Sequence, residues 1–478
     1  MTAEVDTPSA AVAKMAEAWP MIDALVGGTG AMRAAGELLM PRFPAEDPTA
    51  HTARVKMATL FPAFARTTEV LAAKPLSKAI TLDDLPPEIE ELLEDVDGEG
   101  STLHAYAASL MLECLRPGIV GVLVDVPPAE GVRTAADEKA AGIRPYFATY
   151  KASSILGWRH ERGQLTQLRL LECVIEEDGE WGEKEVRQVR VLTPGAWQVY
   201  RKVKIEGGRE VWQVHVEGTT TLSRIPFVWF YGIREGFGIG KPPLIDLAFA
   251  NVKHWQGQSD QDNILHVSRV PILFGKGFRD GEKIIIGASS AVLTTSEKAE
   301  LKFVEHSGAA IDSGDKSLLR LEDQMRQTGA ELLVQKPNVT TATQTVSEGE
   351  GSKSILQRIT ENFEESLEEA LDLMCEWKGL NVGEIEVKLF KDFGATNLSD
   401  QSTSMLLTAV DREIVSKETA FQGLQRRDII PAEVTWEDEQ KRIAAQPKPE
   451  APEMEAEDDT EEERHDADEN AADGLKTE

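Results

Sequence analysis

The chain has 478 residues, 41% of them hydrophobic, enough for a substantial core and for more than one structural region. Its formal net charge is −31, with 82 acidic against 51 basic side chains, the reverse of what is needed to replace counterions on a nucleic-acid backbone. These values exclude a wholly disordered chain and a protein that grips nucleic acid in the ordinary way. The acidic tail 447–478 holds 14 acidic and 3 basic residues, so much of the negative charge lies in the body of the chain. The longest apolar stretches, such as GIVGVLVDV at 118–126, are too short for a bilayer span. The N-terminus lacks the basic-then-apolar order of a signal peptide. Cys114, Cys173 and Cys375 form no CxxC pair, which points to reduced thiols in a cytoplasmic setting.

Residues 1–115 read as mainly helical, because AAVAKMAEAWPMIDALV and HTARVKMATLFPAFARTTEVLAAK repeat apolar residues near every 3.6 positions. DVDGEGSTLHAY at 95–106 opens like an EF-hand loop, with Asp95, Asp97 and Glu99 at positions 1, 3 and 5 and Gly100 at 6. Position 12, where a bidentate glutamate belongs, is Tyr106. The stretch therefore reads better as a turn, with Ser101 as N-cap of the helix STLHAYAASLMLECL. GIVGVLVDVPP predicts a buried strand. Between 155 and 231 the apolar runs are short and alternating, which predicts an antiparallel β meander that ends in SRIPFVWFYG and turns at IEGGREV.

From Pro242 the pattern is helical again. PPLIDLAFANVKHWQGQSDQDNILHVSRVP starts with a proline pair suited to a first turn and carries an apolar stripe of Leu244, Leu247, Ala248, Val252 and Trp255. Then QGQSDQDN offers no apolar side chain across two turns. A helix polar all round is expected to bridge regions, line a wet surface or pack on a neighbouring subunit. Residues 270–308 predict a small β-rich unit, and SLLRLEDQMRQTGAELLV a helix with Leu318, Leu321, Met325 and Leu332 on one face. NVTTATQTVSEGEGS at 338–352 is a loop by composition. A second long helix follows, with Leu356, Ile359, Phe363, Leu367, Ala370, Met374 and Trp377 in steps of three and four and Gly379 as C-cap. Residues 400–446 predict three short helices, with Ser416 as an N-cap and Thr435 and Asp438 as a capping box. The acidic tail is expected to be disordered.

The chemistry-bearing motifs are sparse. GFGIGKPP at 236–243 and SEGEGSKS at 347–354 resemble phosphate loops only in composition, since neither carries GK[ST] at the required spacing. There is no GxSxG and no HExxH. His104, His254 and His306 are scattered, and Asp83-Asp84 and Glu176-Glu177 read as solvated faces. The expectation is a protein with no catalytic residues, no metal and no cofactor.

Taken in order, several stretches resemble the portal proteins of tailed bacteriophages. They are FPAFARTTEVLAAKPL (61–76), DVDGEGSTLHAYA, GIVGVLVDVPP followed by RPYFATYKASSILGWR (144–159), IPFVWFYG, PPLIDLAFANVKHWQGQSDQDNILHVSRVPILF and VDREIVSKETAFQGLQRRDIIPAEVTWEDEQKRIA. The resemblance spans roughly residues 40–446. It implies an α+β portal fold with a mixed α/β wing at 1–242 and stem helices at 243–269 and 314–335, which enclose a small clip at 270–313. A tunnel loop and long helix would occupy 336–378, and a helical crown 379–446, before the disordered tail 447–478. It further implies a ring, typically a homododecamer, at one capsid vertex of a virion assembled in the host cytoplasm. Such a ring nucleates head assembly with major capsid and scaffolding proteins, docks the terminase large subunit, and later binds head-completion or adaptor proteins. It conducts double-stranded DNA during packaging and ejection without reading its sequence, and involves no membrane. A repulsive acidic conduit suits sliding DNA. Lys336, Lys353, Lys253 and Arg269 are the candidate residues to meet the DNA backbone in the channel. The alternatives are another ring-forming phage head or neck connector, or a calcium-dependent enzyme built on Asp95, Asp97 and Glu99.

Overall fold

The computed structural model describes residues 4–127, 143–268, 272–276, 300–304, 309–333, 353–380, 385–391, 416–425 and 434–445, with a few single positions between them. The chain divides into two compact units, Met1–Gly394 and Ala395–Glu478. The architecture is mixed α+β.

The first unit begins with short helices: α1 (Ala10–Ala16), α2 (Trp19–Val26), α3 (Gly28–Ala35), α4 (Pro48–Met57) and α5 (Ala63–Ala73). Two expected longer helices are each broken, and proline is the cause. Pro20 sits in the first turn of α2 and Pro62 directly precedes α5. There a missing N–H is harmless, whereas within a continuous helix it would remove a bond and clash with the preceding turn. Ser9 caps α1, and Asp47 caps α4 by accepting from the Thr49 and Ala50 N–H groups.

Strand β1 (Thr81–Asp83) and the one-turn α6 (Pro87–Glu90) lead to α7 (Leu103–Leu115). The cap of α7 is Thr102, one residue past the expected Ser101. Ser101 is held in the preceding turn instead: its N–H donates to Asp97 and its carbonyl accepts from Val96.

Strand β2 (Ile119–Asp125) is buried along nearly its whole length, as the apolar run predicts. It pairs on one side with β3 (Tyr146–Lys151). The chain then forms the meander β4 (Ile155–Glu161), β5 (Gln164–Asp178), β6 (Gly182–Thr193), β7 (Ala196–Lys204) and β8 (Glu210–Thr219), each strand antiparallel to the next. Arg162 and Gly163, both with positive φ, make the tight β4–β5 turn, and Gly207 and Gly208 turn IEGGREV as expected.

IPFVWFYG does not end the meander. It forms β9 (Phe227–Tyr231), which crosses to the free side of β2. All five β9 residues are buried, and an apolar run of this kind needs both faces covered. Val228 and Phe230 join the helical core, while Phe227, Trp229 and Tyr231 join a second core against the meander. The contact is close at Gly121, where a Cβ would stand 1.9 Å from the Phe227 ring. GFGIGK is the hairpin of β10 (Ile233–Gly236) and β11 (Ile239–Lys241), with Gly238 packed on Trp158.

The long helix α8 (Ile245–Ser268) follows, then the antiparallel strands β12 (Ile272–Lys276) and β13 (Glu300–Val304), then α9 (Ala309–Glu331). Helix α10 (Ile355–Lys378) starts from a capping box between Ser354 and Gln357 and stops at Gly379, whose φ of 68° is left-handed. Leu356, Ile359, Phe363, Leu367, Ala370 and Met374 of α10 are buried, with Phe363 4.9 Å from Phe230. Strand β14 (Glu386–Lys388) pairs with β1 on one edge. On its other edge Glu368 and Glu364 of α10 accept from the N–H groups of Val387 (2.9 Å) and Leu389 (2.6 Å), and Glu364 also holds Lys391 at 2.8 Å.

In the second unit the described helices are α11 (Lys417–Gln425), capped by Ser416, and α12 (Trp436–Ala444), capped by Thr435. The Asp438 carboxylate meets the Thr435 hydroxyl at 2.8 Å, and the rings of Phe421 and Trp436 lie 5.3 Å apart.

Candidate functional site: a helix pair with a polar seam

Helices α8 and α9 pack against each other, and their contacts fix the direction. Gln261 meets Gly314, Gly257 meets Leu318, and His254 Nε2 lies 3.3 Å from Glu322. Positions fall along α8 as they rise along α9, so the pair is antiparallel. Small residues allow the approach: a Cβ on Gly314 would stand 2.0 Å from Gln261 Oε1. Helix α9 begins eight residues before the predicted helix, at Ala309 rather than 317. The early part, AAIDSGDK, shows no apolar stripe, and it is held by Gln261, whose Nε2 donates to the Ile311 carbonyl and to Asp315, each at 2.9 Å.

The polar stretch QGQSDQDN was expected to bridge regions, line a wet surface or pack on a neighbouring subunit, and the first of these is what the described residues show. Much of it is occupied by its own chain. Ser259 and Gln261 are each 4% exposed. Gln256 donates to the Leu39 carbonyl at 2.5 Å, Gln258 to Asp262 at 2.9 Å, and the Ser259 hydroxyl points to Met40 Sδ at 3.7 Å. Asp260 receives Arg54 of α4 at 3.0 Å. Hydrogen bonds thus replace apolar burial in holding this half of the helix.

Arg54 is the centre of that arrangement. It is 9% exposed, takes both Glu46 carboxylate oxygens at 2.8 and 2.9 Å, and lies 4.9 Å from the Phe43 ring centre. Its hydrogen bond holds the Glu46 carboxyl below the ordinary range. Asp260 moves the other way, because burial raises its carboxyl more than the attraction of Arg54 lowers it. His254, on the buried side of α8, is 3% exposed and lies against Phe61 as well as Glu322.

Of the four channel candidates, Lys253 is exposed on α8, one turn beyond Phe249, which is itself 59% exposed. No ion pair to Lys253 is formed among the described residues. Lys353 is engaged by Glu361 at 2.9 Å, just ahead of α10. Lys336 and Arg269 lie outside the described residues. The start of α10 is tied to the end of α9 by a 3.0 Å hydrogen bond from the Leu356 N–H to the Leu332 carbonyl. The tunnel-loop assignment falls largely within 334–352, also outside the described residues.

The EF-hand-like loop spends its oxygens on the protein. Asp97 accepts from the N–H groups of Glu99 (2.9 Å) and Ser101 (3.1 Å). Asp95 accepts from Gly100 at 2.7 Å and pairs with Arg144 at 2.5 Å. Partial burial raises the Asp97 carboxyl, but the hydrogen bonds from Ser101 and Glu99 outweigh it and leave the net shift downward. Tyr106 is buried in the core side of α7, its hydroxyl 2.6 Å from Thr149. Among the described residues no group of three or more His, Cys, Asp or Glu side chains is placed to hold a metal ion. Among them, too, no helix is long and apolar enough to cross a membrane.

The residues that organise this site and were missed in the sequence are Arg54, Gln261, Gly257 and Gly314. Glycines inside two helical segments were the available signal for close helix contact; nothing in the sequence marked Arg54.

A family model described as a domain of unknown function (DUF4055) matches residues 243–378, the stretch from α8 through β12, β13 and α9 to the end of α10. No curated protein matches the chain. Among solved structures, a chain of the virion of a native gene transfer agent (GTA) particle is similar at 12% identity with a TM-score of 0.40, over 82% of this chain and 97% of that one. A chain of the neck of an empty GTA particle, computed with C6 symmetry, gives 12% and 0.39 over 80% and 95%. One of the neck of a native GTA particle, computed with C12 symmetry, gives 12% and 0.38 over 81% and 97%.

Proposed function

We propose that this chain is the subunit of a phage portal, a ring at a capsid vertex that seeds head assembly, docks the terminase and conducts double-stranded DNA. What supports it is the unit of two antiparallel helices, α8 and α9, with the strand pair β12–β13 between them and α10 rising from the foot of α9. This is the helix–clip–helix order that the sequence resemblance implies. In this reading α8 and α9 are the stem, β12 and β13 belong to the clip, the preceding sheets and helices form the wing, and α11 and α12 belong to the crown. The polar seam suits a stem that keeps its shape while DNA passes, since directional hydrogen bonds fix the register of the two helices. Lys253, exposed and without an ion pair among the described residues, is the leading backbone contact. Lys353 acts as a charge already screened by Glu361, and Lys336 and Arg269 complete the set. The chain itself carries no catalytic step; the motor belongs to the terminase.

Negative-stain imaging of the purified chain with rotational averaging tests this. Rings with a central channel are expected, and a species that stays monomeric at high concentration rejects the reading. Deleting 340–350 should leave rings intact and impair DNA packaging. Rings that neither seed heads nor bind terminase would make the chain another connector of the head or neck.

A further inference from the structure

The meander carries two features, at opposite ends of one strand, that the portal reading leaves unused. Strand β5 pairs with β4 only as far as Leu170, and β6 pairs with β7 only from Gln188 onward. Between these limits β5 and β6 pair only with each other, out to Asp178 and Gly182. The result is a two-stranded arm. At its tip Trp181 is 91% exposed, and Ile175 on its shaft is 71% exposed. Glu177, Asp178, Glu180, Glu183 and Glu185 flank them in the chain with Lys184, while Glu176 is held by Arg201 at 2.5 Å. An indole is a large apolar surface with one polar handle, and such side chains concentrate at the centres of protein interfaces.

At the start of β5 lies a cleft of about 310 Å³, bounded by the β4–β5 turn, β9 and α10. Trp229, Tyr231 and Phe237 form its aromatic wall, Glu365 and Glu369 of α10 line the opposite side with Arg224 paired to Glu369 at 3.6 Å, and Gln164 stands on its exposed rim. Arg234 is exposed there, 5.3 Å from the centre of the Tyr231 ring, and has no ion pair among the described residues. The volume is at the small end for ligand sites and suits one large side chain rather than a cofactor.

Tip and cleft cannot meet within one chain. Strand β5 has 15 residues, so its ends stand roughly 45 Å apart at about 3.3 Å per residue. Two complementary patches at separate places on one chain make a head-to-tail contact, and such contacts give a ring where the rotation between copies closes and an open filament where it does not.

We propose that Trp181 of one subunit seats in the aromatic cleft of the next, with a tip carboxylate on Arg234, and that this arm-in-cleft contact links neighbouring subunits. The occupant of the cleft is a second copy of this chain, an inference that rests on the ring reading above.

The test uses the full chain. W181E and R234E change exposed side chains, so both variants should keep the wild-type circular dichroism and melting temperature. Each should lower the ring fraction at least tenfold in sedimentation velocity and negative-stain counts. Separately tagged W181C and Q164C chains, both in a Cys173→Ser background, should form a mixed disulfide when combined under mild oxidation, and neither should do so alone. Wild-type rings that persist unchanged in W181E overturn the contact and leave the ring reading standing. Equal cross-linking by W181C alone also overturns it. A wild-type chain that forms no rings, with no mixed disulfide, removes both.

Discussion

Gly314→Ala sets two opposed effects against each other at one position. Gly314 lies inside α9, where alanine is favoured over glycine by about 1 kcal/mol from backbone entropy alone. Against that, the new Cβ would stand 2.0 Å from Gln261 Oε1 and 2.8 Å from its Cδ. Gln261 is 4% exposed and so has no free space in which to retreat. It must leave the seam and give up its hydrogen bonds to the Ile311 carbonyl and Asp315. Two such bonds are worth roughly 2 kcal/mol net, and displacing a buried amide costs about 1 kcal/mol more. With the helix gain subtracted, the variant should lose about 2 kcal/mol. A urea titration checks this as a lower midpoint at unchanged m-value. Adding Gln261→Ala frees the space, so the double variant should be no less stable than Gln261→Ala alone, a coupling of roughly 2–3 kcal/mol. If Gly314→Ala is as stable as the wild type, Gln261 is not locked between the helices and the account of the seam is wrong.

Three further outcomes are expected. Arg54→Met should cost about 3 kcal/mol, because it leaves Glu46 and Asp260 facing each other without their shared cation. Since Arg54 holds the Glu46 carboxyl below its usual range, that part of the stability is complete above the unfolded glutamate pKa of roughly 4.3. It is lost as pH falls through the lower folded value, so the gap between wild type and variant should narrow on acidification. A gap that stays constant into strong acid contradicts the assignment. Asp97→Ala should loosen the turn at 95–102 by about 1 kcal/mol, seen as faster amide exchange at Glu99 and Ser101. Calcium or a chelator should leave the wild-type melting temperature unchanged, and a calcium-dependent rise would restore a metal site there.

How much of this was legible in the sequence depends on what kind of force holds each element. The strand at 119–125 and the helix at 355–378 declare themselves, because continuous or 3.6-spaced apolar residues can only be satisfied by burial on the matching faces. The proline breaks at Pro20 and Pro62 were readable, since a proline is tolerated where a helix begins and not within it. For the second half of α8 the polar pattern allowed bridging between regions as one reading, but it named none of the partners. Arg54 lies 206 positions before Asp260, its partner, and no local pattern links them. The crossing of β9 to β2 was hidden for a similar reason: a five-residue apolar run shows that a strand is buried but not beside which neighbour. Lys353 shows the same limit, since a lysine next to a loop reads as available until Glu361 is seen beside it. At the EF-hand-like loop the turn before α7 was legible, whereas its cap was placed one residue early, because Ser101 and Thr102 are equally good caps and only the hydrogen bonds of the turn choose between them.

The closure of β14 by two glutamates has a consequence for how the chain behaves when it is crowded. An open strand edge is an invitation to any other extended segment, and crowded chains accept it in the wrong register. Here Val387 and Leu389 offer their N–H groups to carboxylates carried on the chain's own helix. A stray strand arriving from that side finds the donors taken and a charged, backbone-free surface in front of it. Misjoined aggregates through this edge are thereby discouraged. The glutamates of α10 therefore govern how the molecule behaves at high concentration as well as how it folds.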